Sequence, residues 1–278
     1  MFDIEMRLLL DGVRLVYGHD FTEYAEASIR RRVTQWLSSS KFATLSEAQA
    51  QVLRDPEVFD SLLRGITVNV SEMFRDPHFF KVFRQQVIPY LKTWPFVKIW
   101  LAGCATGEEA YSLAILLEEE GLAERCRIYA TDLNGAVLET ARKGIYHLRD
   151  MQRYTRNYLA SGGRASFSDY YSALYDHAIM ASRLAERMVF AAHSLATDAG
   201  FGEMHVVFCR NVLIYFKPSL KERVLRLFNG CILSGGFLCL GVKETIDGRD
   251  VACQYDELAP NIRIYRKRYE APEKKTVR

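Results

Sequence analysis

A doubly wound α/β sheet, carried behind an all-helical front domain and interrupted by a small β-containing insertion, is the fold class this sequence predicts. Three observations predict it. From residue 97 onward, short apolar runs alternate with helix-patterned segments. The first of these runs, Val97 to Leu101, enters a glycine turn, Gly103-Cys104-Ala105-Thr106-Gly107, and then a helix that opens on Glu108 and Glu109. From Phe2 to Gly65, in contrast, the pattern is helical and strand signals are few.

Within the front domain, polar breaks fall at Gly18 to Asp20, Ser38 to Ser40 and Asp55-Pro56. Phe21 to Leu37 is its clearest helix: Asp20 or Thr22 can cap the start, and Tyr24, Ile29, Val33, Trp36 and Leu37 form an apolar stripe beside Arg30-Arg31-Arg32. The domain is expected to span residues 1–68. A connector, 69–95, follows; Thr67 to Phe80 is turn-rich, Phe83 to Leu91 reads as a helix, and Trp94-Pro95 closes the segment.

The α/β domain is expected over 96–270. Val97 to Leu101 is a strand because it is continuously apolar and bounded by turn residues, and Glu108 to Glu120 is a helix because acids open it and an apolar face runs through it. Arg127 to Ala130 reads as strand, Gly135 to Lys143 as helix, Val206 to Cys209 as strand, Ser219 to Asn229 as helix and Gly236 to Leu240 as a late strand. The rhythm breaks over residues 146–188, a Tyr-rich, charged stretch containing Ser161-Gly162-Gly163, which is expected to be an inserted subdomain of short helices and strands. Residues 271–278 form a polar tail.

Composition narrows the function. At 278 residues and 49% hydrophobic the chain can bury a sizeable core, and its formal charge of +3 is too near balance for wholesale polyanion binding, so no nucleic-acid partner is expected. The six cysteines stand far apart with no C-x-x-C pair, which suits reduced, buried thiols. Asp3, Glu5 and Arg7 interrupt any signal-peptide core, and the uncharged run Phe228 to Val242 is too short and glycine-rich to span a membrane. A cytoplasmic protein without membrane insertion is expected. The six histidines show no H-x-x-x-H spacing, and no metal site is expected.

The glycine turn and the strand end Tyr129-Ala130-Thr131-Asp132 together mark a ribose-binding site. A dinucleotide fold would show G-x-G-x-x-G so that a helix N-terminus can approach a pyrophosphate. This chain has G-C-A-T-G-E-E instead, and two glutamates in the first helical turn would repel phosphate. A ribose-bearing ligand that is neutral or cationic fits better. S-adenosylmethionine, with an ammonium, a sulfonium and no phosphate, meets that description, and Asp132 is placed to accept hydrogen bonds from its ribose hydroxyls.

Five ordered motifs make the reading specific: Asn69 to Asp76 (NVSEMFRD), Ala102 to Leu113 (AGCATGEEAYSL), Tyr129 to Asn134 (YATDLN), Phe208 to Phe216 (FCRNVLIYF) and Ser234 to Gly241 (SGGFLCLG). In order and extent they resemble the chemotaxis receptor methyltransferases, the CheR-type family. The resemblance implies a Rossmann-like S-adenosylmethionine-dependent core and methyl transfer to glutamate side chains on receptor helices, leaving S-adenosylhomocysteine. It also implies site residues. Asn69, Ser71 and Arg75 match the cofactor-contacting connector, with Arg75 near the methionine end. Gly103 and Glu108 match the glycine loop, Asp132 the ribose acid, Asn211 and Val212 the adenine side, and Tyr215 a tyrosine near the reacting centre. Where the family often has Asn-Leu, this chain has Ser194-Leu195, preceded by His193; a serine keeps one hydrogen bond, and a modest cost in cofactor affinity is expected.

The chemistry asks little of these residues as acids or bases. A glutamate carboxylate with a pKa of about 4.3 is already ionised at neutral pH, so the enzyme's task is alignment and exclusion of water. Arg75 and Tyr215 are the expected catalytic pair. Arg75 has a bland alternative, an ion pair with Asp76 or Glu72, and Tyr215 another, as a core aromatic. A non-catalytic adaptor sensing S-adenosylmethionine or S-adenosylhomocysteine is the alternative function. Methylation of nucleic acid is disfavoured because the strand end reads Arg210-Asn211-Val212-Leu213 and not Asn/Asp-Pro-Pro-aromatic.

The expected partner is a chemoreceptor cytoplasmic domain, met by a monomer. Arg30, Arg31 and Arg32 are candidates for docking its acidic helices, although residues 1–80 as a whole carry nine basic against twelve acidic side chains. The family's resemblance also suggests a receptor C-terminal peptide added as a strand to the insertion, with Phe167 to Met180 the Tyr-rich stretch that would pair with it.

Overall fold

The computed structural model describes residues 1–67, 71–246, 248–259 and 261–269. Four helices build the front domain: α1 (Phe2–Tyr17), α2 (Glu26–Ser39), α3 (Leu45–Val52) and α4 (Pro56–Ile66). Their starts follow from local chemistry. Thr44 caps α3 by accepting from the Glu47 amide, and Asp55 caps α4 just ahead of Pro56, whose missing N–H costs nothing in a first turn. Leu9, Val13, Val33, Val52 and Leu62 are fully enclosed where the four helices meet.

After α5 (Pro77–Gln86) and α6 (Ile88–Leu91) the α/β part runs β1 (Val97–Ala102), α7 (Glu108–Glu119), β2 (Cys126–Asp132) and α8 (Gly135–Lys143). The insertion follows as β3 (Ile145–His147), α9 (Leu148–Ala160), β4 (Tyr171–Leu174), β5 (His177–Met180) and α10 (Ser182–Ala185). The core then resumes with β6 (Met188–Ala192), β7 (Met204–Cys209), α11 (Pro218–Cys231), β8 (Ile232–Leu240), α12 (Arg249–Ala252), β9 (Tyr255–Ala259) and β10 (Ile264–Lys267).

Seven strands form one sheet in the order β6-β2-β1-β7-β8-β10-β9, parallel except that β10 runs against both neighbours. This is the mainly parallel sheet that the alternation predicts and the Rossmann-like core that the resemblance implies. Chain order reverses between β1 and β7, so a crevice opens beyond their carboxyl ends, where open α/β sheets bind ligands. The insertion carries its own antiparallel sheet, β3-β5-β4, with β4 at an edge. Among the described residues, no helix is long and apolar enough to cross a membrane.

Several local expectations need correction. The helix expected from Phe21 begins only at Glu26. Asp20 turns back on Thr22, accepting from both its amide (2.9 Å) and its hydroxyl (2.6 Å), and Tyr24 forms an antiparallel bridge with Phe216. The backbone that would have opened the helix is used to join the two domains. The helix expected over Phe83 to Leu91 is two helices, because Pro89 cannot continue a ladder from α5. Part of the predicted turn-rich connector is helical from Pro77 onward. The insertion is less fragmented than expected, since α9 is a full amphipathic helix burying Met151, Tyr154 and Tyr158. Strands β6, β9 and β10 went unpredicted.

Candidate functional site

The turn from β1 into α7 is wound through left-handed backbone: φ is 84° at Gly103, 48° at Ala105 and 93° at Gly107. At Gly103 a side chain is excluded twice over, by that φ and by Val212, whose Cγ2 would lie 2.5 Å from a Cβ. The turn is pinned to β2 by the amides of Gly103 and Cys104, which both donate to the Thr131 carbonyl. It also points the Ala105 amide at Asp132 Oδ2 (2.9 Å), while the Asn134 amide donates to Oδ1 (3.0 Å). The carboxylate keeps acceptor capacity for a further donor. Burial pushes the Asp132 pKa up, against the lowering effect of the amides of Asn134, Ala105 and Leu133.

Across the crevice, the end of β7 is held by a residue that sequence reasoning missed. Glu244 is buried and accepts amides from Gly241 (2.6 Å), Asn211 (2.9 Å) and Ile214 (3.3 Å), which locks Asn211 at φ 62°. Burial raises the Glu244 pKa in spite of those bonds. The neighbouring Arg210 has a side chain only 1% exposed and pairs with Glu109 and with Asp76 (2.8 Å). Tyr215 follows on a 3₁₀ turn, Leu213–Tyr215; its carbonyl accepts the Ala25 amide (2.7 Å) and its ring lies under the Arg32 guanidinium, 5.9 Å from carbon to centroid.

The connector supplies the third wall, with Ser71, Glu72 and Arg75. Among the described residues, Arg75 has no carboxylate within ion-pair distance: Asp76 is taken by Arg210, and Glu72 by Arg153 at 3.2 Å. The bland reading of Arg75 as an ion-paired surface group therefore does not hold. The front domain closes the fourth side with Tyr24, Ile29, Ile66 and Thr67. Burial drives the Tyr24 hydroxyl far above its ordinary pKa, and the Asp132 charge adds to the effect.

These walls enclose a cleft of about 1070 Å³ including its open mouth. Of the predicted site residues, Ser71, Arg75, Gly103, Asp132, Leu195, Asn211, Val212 and Tyr215 line it together. Glu108 and Ser194 do not. Glu108 is buried, with a carboxylate that accepts from the Thr106 hydroxyl at 2.7 Å, and it is Glu109 that faces the cleft. Ser194 is also buried, its amide donating to Asp198 (2.8 Å), while its neighbour His193 reaches the lining. Asn69 lies outside the described residues. Tyr24, Glu109, His193 and Arg210 were not expected as lining residues, although Glu109 and Arg210 both lie within the recognised motifs.

Of the arginine run, Arg30 pairs with Asp3 (2.9 Å) and Arg32 donates to the Thr67 carbonyl (3.4 Å), which leaves Arg31 exposed on α2. One group of metal-ligand side chains comes together among the described residues: His147, Asp176 and His177, with donor atoms within 4.8 Å of one another. None lines the cleft. The His147 and His177 rings stack at 5.3 Å, and His177 Nδ1 donates to Asp176 at 2.6 Å.

S-adenosylmethionine fits the residues present. Glu72, Glu109 and Asp132 against Arg75 and Arg210 leave the wall one charge negative, the complement of a ligand with two cationic groups and one carboxylate. Asp132 would hold the ribose with its spare lone pairs, the bare turn at Gly103 would admit the nucleoside, and unpaired Arg75 would take the carboxylate. Three acids would oppose a phosphate.

The comparisons with known proteins agree. The family model described as CheR methyltransferase, SAM binding domain, matches residues 69–258, and the one described as CheR methyltransferase, all-alpha domain, matches residues 4–67. A Pseudomonas putida protein carrying the name Cher3 is 49% identical over 95% of this chain and 97% of its own length. A chemotaxis protein methyltransferase of Listeria innocua is 33% identical over 82% of this chain and 85% of its own. A solved O-methyltransferase of Nostoc punctiforme, 14% identical, covers 87% of this chain and 56% of its own at a TM-score of 0.38, too remote to add weight. With both of its domains matched and its cleft built for S-adenosylmethionine, the chain belongs to the CheR methyltransferase family.

Proposed function

We propose that this protein transfers a methyl group from S-adenosylmethionine to glutamate γ-carboxylates on the cytoplasmic helices of a chemoreceptor, forming the methyl esters that set receptor adaptation. The observation that carries the reading is the cleft itself: a half-buried Arg75, with no carboxylate in ion-pair reach among the described residues, beside a ribose-type acid. The donor, when bound, supplies an electrophilic methyl group on sulfur. The chain's own residues then have to orient and dehydrate. An ionised acceptor carboxylate needs no general base, so Arg75 acts by attracting and aligning carboxylate oxygens, and Tyr215 by shaping the approach. The front-domain wall at Tyr24 and Ile29 keeps water out.

The work is assigned to a monomer in the cytoplasm. Exposed Arg31 supports docking of an acidic helix beside the cleft, and edge strand β4, with Leu174 and Tyr175 exposed, supports addition of a receptor tail peptide as a further strand.

The test is methyl-labelled S-adenosylmethionine mixed with the protein and a receptor cytoplasmic fragment. Base-labile label on the fragment is expected, and Arg75→Ala or Asp132→Ala should each reduce it by roughly 100-fold or more, a loss typical of removed positioning groups. Tight donor binding by calorimetry with no turnover on any receptor fragment would instead identify a sensing adaptor. Full activity in both variants would refute the assignment of the site.

A further inference from the structure

Arg210 is a buried cation that ties the first turn of α7 to one short segment of the connector. One terminal nitrogen pairs with Glu109 in the first turn of α7; the other donates to the Asp76 carboxylate (2.8 Å) and to the main-chain carbonyl of Arg75 (3.1 Å). Its guanidinium carbon stands 4.1 Å from the centre of the Phe79 ring and 5.5 Å from that of Phe80, both in the helix that Asp76 precedes. Hydrogen bonds at both terminal nitrogens and the Phe79 ring beside the guanidinium together restrict its orientation.

What it grips is unusual backbone. Phe74 and Asp76, on either side of Arg75, both adopt left-handed φ, 52° and 57°, a region that is uncommon for L-residues and costly for a bulky one such as Phe74. Phe74 is held from below by packing against Phe80 and Tyr158 and by donation of its amide to the Ser112 hydroxyl (2.8 Å). Asp76 is held by Arg210. The two constraints turn the chain sharply at Arg75 and set where its side chain leaves the backbone. A buried ion pair is a poor way to gain stability alone, since desolvation offsets most of the attraction, so the arrangement calls for another explanation.

We propose that Arg210 is a positioning residue for methyl transfer: by clamping the Arg75 carbonyl and the Asp76 carboxylate, it fixes the direction in which the Arg75 guanidinium enters the cleft. The inference rests on the functional reading of Arg75 given above.

A double-mutant cycle in the full-length protein tests it. Arg210→Lys keeps the charge but loses the planar fork that reaches three acceptors. With saturating S-adenosylmethionine, kcat on a receptor fragment should fall roughly tenfold or more, in line with the cost of a small misplacement of a reacting group. Asp76→Asn, which keeps the shape and weakens the grip, should fall less in the same direction, and it carries the test alone if Arg210→Lys does not fold. In an Arg75→Ala background both changes should cost less than about twofold, because the residue they position is gone.

Equal fold-losses with and without Arg75 would overturn the proposal and leave Arg210 as scaffold; so would unchanged kcat in the Arg75-containing protein. A silent Arg75→Ala change is a separate result, which removes the role of Arg75 itself and the proposal with it. Thermal unfolding of each variant completes the set: a merely structural clamp shifts the midpoint and leaves kcat of the folded fraction intact.

Discussion

A single methyl group at position 103 has nowhere to go. Gly103→Ala places a Cβ against Val212 on a backbone with φ 84°, and neither the turn nor the end of β7 can yield without disturbing the amides aimed at Asp132 and Glu244. The substitution should cost about 1–3 kcal/mol of stability and weaken donor binding, read by thermal unfolding and calorimetry. A variant with unchanged midpoint and affinity would show that the contact is slack. Gly103 and Asp132 were legible in the sequence because two short motifs carry them, the strand-turn-helix run after Val97 and the strand end Tyr129 to Asp132. Glu244 was not, although it follows directly on a recognised motif: a buried carboxylate that binds main-chain amides has no sequence period. Tyr24 was read as part of a helical stripe, and only a contact with residue 216 makes it a cleft wall. At Glu108 and Ser194 the motif was right in place but the side chains that reach the cleft belong to the next and the preceding residue, Glu109 and His193.

The segment between Asp20 and α2 shows how an element is redirected by distant partners. Its amides and carbonyls bond across the domain boundary, Ala25 N–H to the Tyr215 carbonyl (2.7 Å) and Lys217 N–H to the Glu23 carbonyl (2.9 Å). Ala25 has φ −60° and Tyr24 sits in a β-bridge, so proline at 25 suits the backbone and removes the donor. Ala25→Pro should lower stability by about 1 kcal/mol, the worth of one lost hydrogen bond, and speed proteolysis at the domain boundary while far-UV circular dichroism stays the same. Faster proteolysis throughout the chain, or none, would count against this clasp. Elements governed by their own sequence were predicted closely. Helix α8 begins and ends where expected, because Asn134 caps it and Gly144 ends it in left-handed backbone. Strands β9 and β10 were missed since each carries two charged residues in a short run and their pairing, rather than their composition, makes them strands.

At the scale of the whole molecule, the insertion is fastened to the core by a buried ionic cluster. Arg84 of α5 bridges Glu119 and Glu120 at the end of α7; Lys92 (3.0 Å) and Arg164 (2.9 Å) also reach Glu120, and the Tyr158 hydroxyl of α9 donates to Glu119. Burial raises both carboxyl pKa values, but it is outweighed: Tyr158, the Arg164 amide and Arg84 at Glu119, and Lys92, Arg84 and Arg164 at Glu120, leave each below the ordinary 4.5. Depressed carboxyls contribute stability that is present above about pH 4.5 and is lost as pH falls through their folded-state values. Acid unfolding should therefore steepen below that point, and Glu119→Gln should flatten the limb below about pH 4.5; an unaltered limb would place the acid sensitivity elsewhere. The cleft is a whole-molecule object too, walled by residues from Tyr24 to Phe216 and braced by Glu244. During synthesis, then, a ribosome-bound chain is blind to its donor until its last third has emerged, and methyl-donor abundance in the cell can stabilise only the finished product, never guide the nascent one.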